Sequence, residues 1–217
     1  GDSLYTIRMN QPLEVQGVRL YQSDYDAYGV TLLVNTDAYG RAVVYAGYVM
    51  AMPALLCVLL LTGFEHKRLG LCLLLLMVCV ACAVHYSWSG ERLVPVLNSR
   101  WLLWHVSTIM TAYVLFAVLM LRDSRGVLVA AESLLAAGIM LGSVWADESW
   151  GSYWTWDPKE TCALVTMLVY ALPLHPRLVP AMRRPRVRRW YLVCAIAAVV
   201  VTYYGVNHFA GGLHSYA

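Results

Sequence analysis

The stretch WLLWHVSTIMTAYVLFAVLML, residues 101–121, runs for 21 residues without an Asp, Glu, Lys or Arg. A helix needs about 20 mostly apolar residues to cross the hydrocarbon core of a bilayer, so this run reads as a membrane span. Working outward, the same criterion marks five more segments: 43–63, 70–88, 127–146, 160–175 and 190–210. Segment 160–175 is short and is expected to extend over its flanks. Composition agrees. The 217-residue chain is 60% hydrophobic and only 13% charged, with a mean hydropathy of +0.57, whereas soluble domains carry roughly 25% charged residues. The expected fold class is an all-α membrane protein with about six transmembrane helices.

Residues 1–42 differ from the rest. They carry Arg8, Glu14, Arg19, Asp24, Asp26 and Asp37, Gly and Pro punctuation, and alternating stretches such as GVRLYQS and GVTLLVN. That pattern suits short strands and turns. It predicts a β/turn extramembrane segment too small to be a complete domain. The polar start GDSLYTIRMN has neither an initiator Met nor a signal-peptide pattern, and is expected to follow a longer upstream part. The net charge of +3 is modest and no basic block is built for nucleic acid. The six Cys lie inside or beside apolar runs, Cys79 and Cys82 within a predicted span. They read as small buried residues rather than a disulfide framework.

Orientation follows from the Lys and Arg of the loops. The loops after the first, third and fifth spans hold Lys67, Arg68, Arg122, Arg125, Arg177, Arg183, Arg184, Arg186, Arg188 and Arg189, ten of the sixteen basic residues. The opposite side holds Arg8, Arg19, Arg41, Arg92, Arg100 and Lys159 over far more polypeptide. The ten-charge side is expected to be cytoplasmic, with both termini outside.

The outer side then carries ESWGSYWTWDPKETC, residues 148–162, with Trp150, Trp154 and Trp156 within seven residues and Tyr153 among them. An interfacial aromatic belt explains any single Trp here, but three in one connection point to a platform for a flat apolar ligand. Asp157, Pro158 and Glu160 have the spacing of a helix start, so Asp157 and Glu160 also have an architectural reading. His66 falls in a cytoplasmic loop, and His85 and His208 at outer span ends, where interfacial roles suffice. His105 lies one turn inside the third span, with Trp101 on the same face, and His214 follows the last span on the same outer side. Two imidazoles beside a Trp-rich loop fit a planar macrocycle with axially ligated iron, although spacing alone leaves a quinone or another planar ligand open.

These residues resemble a known family. WGSYWTWDPKET resembles the WWD signature of haem-handling proteins of cytochrome c maturation. WLLWHVSTIMTAY, WDPKETCALVTMLVYALPLH and NHFAGGLHSYA resemble, in order, the external-His helix, the motif-to-inner-His stretch and the C-terminal external His of its CcsA (ResC) branch, over residues 101–217. MNQPLEVQGVRLYQSDYD, Met9 to Asp26, is similar to the end of the external domain of the CcsB (ResB) partner. The resemblance implies the C-terminal part of a fused CcsB–CcsA synthase. Residues 1–42 would end the CcsB external domain, 43–66 would be its last helix, and 67–217 the haem-handling domain.

It further implies that His105 and His214 are external axial ligands of haem b iron and His175 an inner one. Trp150, Gly151, Tyr153, Trp154, Trp156 and Asp157 would form the platform. Reduced haem would pass outward and be presented to the CxxCH segment of apocytochrome c, whose thiols add to its vinyl groups. The implied partners are apocytochrome c, the upstream CcsB/ResB part and thioredoxin-like thiol reductants; the implied location is the cytoplasmic membrane of a bacterium. The family's other inner His belongs to the CcsB part, and His66 and His85 match it poorly. The alternatives are a CcmC-like haem-loading chaperone and a membrane scaffold or transporter without cofactor. No Ser-His-Asp set, phosphate loop or carboxylate dyad supports another chemistry.

Overall fold

The computed structural model describes residues 5, 7, 12–25, 29–36, 44, 46 and 99–206. The expected spans 43–63 and 70–88, together with His66, His85, His208 and His214, lie outside the described residues.

Four helices dominate the described region: α1 (Arg100–Leu121), α2 (Arg125–Trp150), α3 (Pro158–Ala171) and α4 (Pro185–Val200). Of these, α1, α2 and α4 with its continuation to Gly205 are long and apolar enough to cross a bilayer. Their start signals are local. Ser99 accepts from the Trp101 N–H to open α1, and Ser124 accepts from the Val127 N–H to open α2. The short connection at residues 122–124 makes α1 and α2 antiparallel neighbours.

Their seam is made of small residues. A Cβ on Gly138 would lie 2.6 Å from Ile109 Cδ1, and one on Gly142 would lie 2.5 Å from the His105 ring. The G-x-x-x-G spacing thus lets the two backbones approach closely, as apolar surroundings require when there is little solvent to drive helices together. Around the seam, Phe116, Leu119, Leu128, Leu135, Tyr170 and Leu192 form the buried core, with Phe116 and Tyr170 stacked at 3.8 Å. Hydroxyls within the spans turn back on their own helices: Thr108 donates to the Trp104 carbonyl, Thr111 to Ser107 and Thr166 to Cys162. Each bond satisfies a group that lipid could not.

Helix α3 begins at Pro158, two residues before the expected span, and ends at Ala171 in a 3-10 turn over Leu172–Leu174. Together they extend for about 27 Å, just under the hydrocarbon thickness. Helix α4 starts at Pro185, five residues before the expected position, inside the basic run. Pro at the first helical position explains that early start. Arg188 Nε donates to Asp123 Oδ2 at 2.7 Å, joining the two basic connections at one end of the bundle. At its other end α4 loosens into a π turn, Val201–Gly205.

Residues 13–35 contribute a three-stranded antiparallel sheet in the order β1 (Leu13–Val15), β2 (Val18–Tyr25), β3 (Val30–Asn35). Gln16 and Gly17, with φ of 51° and 82°, form the tight hairpin turn between β1 and β2. A bulge interrupts β2 between Gln22 and Asp24. The sheet rests on the C-terminal end of α2. Arg19 Nη1 donates to Asp147 Oδ2 at 3.4 Å, and Asn35 Nδ2 donates to the Gly151 carbonyl at 3.0 Å. The sheet and the Trp-rich connection therefore share one end of the helices, and the Arg-rich connections occupy the other.

Candidate functional site

Where α2 ends, Gly151 adopts φ 76° and its N–H donates to the Asp147 carbonyl, closing the helix in a left-handed cap. A Cβ here would meet Leu33 at 2.8 Å and the Tyr21 ring at 3.0 Å, so close approach of the sheet also demands glycine. Six residues later α3 opens with a full capping box. Asp157 accepts from the Lys159 N–H at 3.0 Å, and Glu160 Oε2 accepts from the backbone N–H of Thr155 at 2.8 Å and Asp157 at 3.3 Å. Ser152 Oγ donates to the Trp154 carbonyl at 3.1 Å. These bonds fix the Trp-rich connection from both sides.

Within it, Trp154 and Trp156 meet edge-to-face at 5.7 Å. Trp156 has φ 58°, a conformation that costs a bulky residue about 1–2 kcal/mol, and it is 70% exposed. Trp150 packs edge-to-face at 4.9 Å on Trp145, which is itself only 1% exposed and stacks parallel to the His105 imidazole at 6.4 Å.

Below this connection lies a cavity of about 260 Å³ between α1, α2, the start of α3 and the π turn. Its walls are almost wholly apolar or aromatic: His105, Ile109, Tyr113, Ile139, Gly142, Trp145, Tyr153, Trp154, Ala163 and Tyr203 among them, with Lys159 and Glu160 as the charged members. The volume lies just below the roughly 300–1,000 Å³ of small-molecule sites, so a haem-sized disc would fill it and project from it.

His105 Nδ1 donates to the Gly138 carbonyl at 2.7 Å, which leaves the ring lone pair on Nε2. That is how a metal-binding imidazole is usually held, its second nitrogen anchored on a carbonyl. Gly142 provides the gap into which the ring fits. Donor type, tautomer and aromatic walls thus fit haem ligation at His105.

The sequence-predicted site residues fall into three groups. His105, Tyr153 and Trp154 line the cavity. Trp150, Gly151, Trp156 and Asp157 build the connection around it through packing, a left-handed cap and the capping box. His175 sits at the opposite end, past α3, exposed, with Nδ1 donating to the Ala171 carbonyl at 2.9 Å. His214 is outside the described residues. Sequence reasoning missed Trp145, Gly142 and Lys159. The G-x-x-x-G at Gly138 and Gly142 was a readable signal for the glycine; nothing in the sequence singles out Trp145 from the other Trp.

Residues 120–214 match the family model described as cytochrome C assembly protein. That segment includes most of α2, all of the Trp-rich connection, α3 and α4, so in this region the chain belongs to the cytochrome c assembly family. Its relatives place it with the CcsA type. It is 36% identical over 158 residues to the cytochrome c biogenesis protein CcsA of Chlamydomonas reinhardtii, covering 59% of this chain and 44% of that protein. It is 35% identical over 182 residues to CcsA of Parasynechococcus marenigrum, covering 59% of each. It is 34% identical over 185 residues to protein NrfI of Wolinella succinogenes, covering 71% of this chain but 20% of NrfI. The chain thus spans between a fifth and three-fifths of the length of these relatives. No solved structure matches it.

Proposed function

We propose that the chain handles haem in cytochrome c maturation, holding it under the Trp-rich connection for attachment to apocytochrome c. The carrying observation is the aromatic cavity with His105 held through Nδ1 and set against Trp145. The cytochrome c assembly match over residues 120–214 supports the same reading.

In this reading the helices 43–63 and 70–88 complete a set of six, the Trp-rich connection faces outward from a bacterial cytoplasmic membrane, and both termini lie on that side. Residues 1–42 end a CcsB-like external domain, 43–66 form its last helix and 67–217 the CcsA-like domain. His105 and His214 are the external axial ligands, and His175 takes haem from the inner side. Tyr153 and Trp154 wall the disc, while Trp150, Gly151, Trp156 and Asp157 keep that wall in place.

Haem b, reduced, is the substrate. The two thiols of a CxxCH segment each add across a vinyl group, sulfur to one carbon and hydrogen to the other, so the step needs no oxidant. The chain contributes position rather than acid–base groups: holding thiols against vinyls makes the encounter effectively intramolecular. Keeping the thiols reduced calls for a thioredoxin-like partner, and the upstream CcsB/ResB part supplies the remaining inner ligand.

The test is a reduced absorption spectrum of the chain, purified with its upstream part from haem-producing cells. His105→Ala and His214→Ala are expected to weaken or shift a bis-imidazole spectrum, and His66→Ala to leave it unchanged. A haem-free protein, or a spectrum indifferent to both changes, would sink the reading.

A further inference from the structure

The cavity under the Trp-rich connection has one feature that a purely apolar ligand would not need. Of its two charged wall residues, Glu160 is already occupied. Its Oε2 accepts from the Thr155 N–H at 2.8 Å, the Thr155 hydroxyl at 3.3 Å and the Asp157 N–H at 3.3 Å, so its charge is spent on the start of α3. Lys159 is different. It is half-buried and its side chain borders the cavity among Tyr153, Trp154 and Ala163. Asp157, whose Oδ1 caps the Lys159 N–H at 3.0 Å, is the neighbouring carboxylate that helps keep the ammonium charged.

Removing an ammonium partly from water is unfavourable unless something anionic meets it. The α3 N-terminus adds a partial positive charge in the same place, offset by its two capping carboxylates. An aromatic cavity with a lysine at one border matches a flat apolar ligand with a carboxylate on its edge.

We propose that Lys159 recognises the carboxylate edge of the ligand in this cavity and so fixes its rotation about the axis through His105. The proposal rests on the haem reading, since haem carries two propionates along one edge and two vinyl groups on other edges. An ion pair at the propionate edge orients the vinyl edges away from Lys159. A lysine at the border of the cavity thereby determines which part of the disc an incoming thiol meets.

The experiment titrates the full chain, purified without haem in detergent, with haemin and with haemin dimethyl ester, in which both carboxylates are blocked. Binding is read from the absorption change. The wild type is expected to bind haemin roughly tenfold or more tighter than the diester, the effect of one charge-assisted hydrogen bond. Lys159→Gln is expected to bind both porphyrins equally, at the wild-type affinity for the diester. Lys159→Arg is expected to keep the preference, and its retained binding shows that the fold survives change at this position. A Lys159→Gln protein that still prefers haemin overturns the proposal, as does a wild type that binds both porphyrins equally; in either case the haem reading stands. Failure of the wild type to bind either porphyrin sinks the haem reading and this proposal with it.

Discussion

At the scale of single residues, Gly142 and Trp156 say most about the site. A Cβ on Gly142 would fall within 2.5 Å of a ring that is itself pinned to the Gly138 carbonyl, so the imidazole has no room to yield. Gly142→Ala is expected to cost about 1–3 kcal/mol in thermal unfolding and to displace His105, broadening or shifting the haem spectrum. Gly138→Ala meets only the end of the Ile109 side chain, which can change rotamer, and is expected to cost less and leave the spectrum intact. Trp156 presents the opposite case. Its backbone is strained while its ring is mostly in the open. Trp156→Gly is expected to leave stability unchanged or about 1 kcal/mol higher, yet to lower cytochrome c assembly. A clear loss of stability instead would mean that the contact with Trp154 holds the connection together. The motif residues were legible because Trp clusters and His in spans are rare. Trp145 and Lys159 were not, since a lone Trp in an apolar run and a lone Lys beside a helix start look the same whether or not a cavity lies between them.

Among the elements, α3 depends most on its first turn. The Asp157–Pro158–Glu160 spacing predicted a capped helix start, and both reciprocal bonds are present. Asp157→Ala is expected to cost about 1 kcal/mol and Asp157→Asn close to nothing, because Asn caps as well as Asp. If Asp157→Asn folds normally but assembles no cytochrome c, the carboxylate has a role beyond the cap; the readouts are thermal unfolding and covalent haem on a reporter cytochrome. Helix ends elsewhere were harder to read. Residues 147–150 looked like the polar exit of a span, but α2 continues to Trp150, because Asp147 meets Arg19 and Glu148 accepts from Trp101 Nε1 at 2.8 Å. Those partners lie 128 and 47 residues away, beyond the reach of any local pattern.

For the whole molecule, the joint between sheet and helices is the decisive feature. Asp147 is fully buried, and Arg19 reaches it from β2. Removing Arg19 takes away the cation of a buried carboxylate, which typically costs ~3–5 kcal/mol; the long 3.4 Å contact and the partial exposure of Arg19 place Arg19→Ala at the lower end. The expected sign is earlier proteolysis of residues 1–42 and faster hydrogen exchange around Gly151, with the interior of α1 unaffected. The membrane class and the positions of the described helices were readable from uncharged runs. The seating of the sheet on the Trp-rich connection was not, because it depends on single side chains, Asn35 and Tyr21, meeting one glycine.

The π turn at the end of α4 has a consequence for how this chain can change length. A π turn holds one more residue than an α turn, and this one keeps its form through Thr202, whose hydroxyl lies within bonding distance of Thr166 Oγ1 and of the Cys162 and Ala198 carbonyls. Deleting one residue from Val201–Gly205 would restore plain α-helix without breaking α4, and would rotate everything after it by about 100°. The turn therefore acts as a phase setter: an insertion or deletion here re-aims the tail that carries His214 while leaving the bundle untouched.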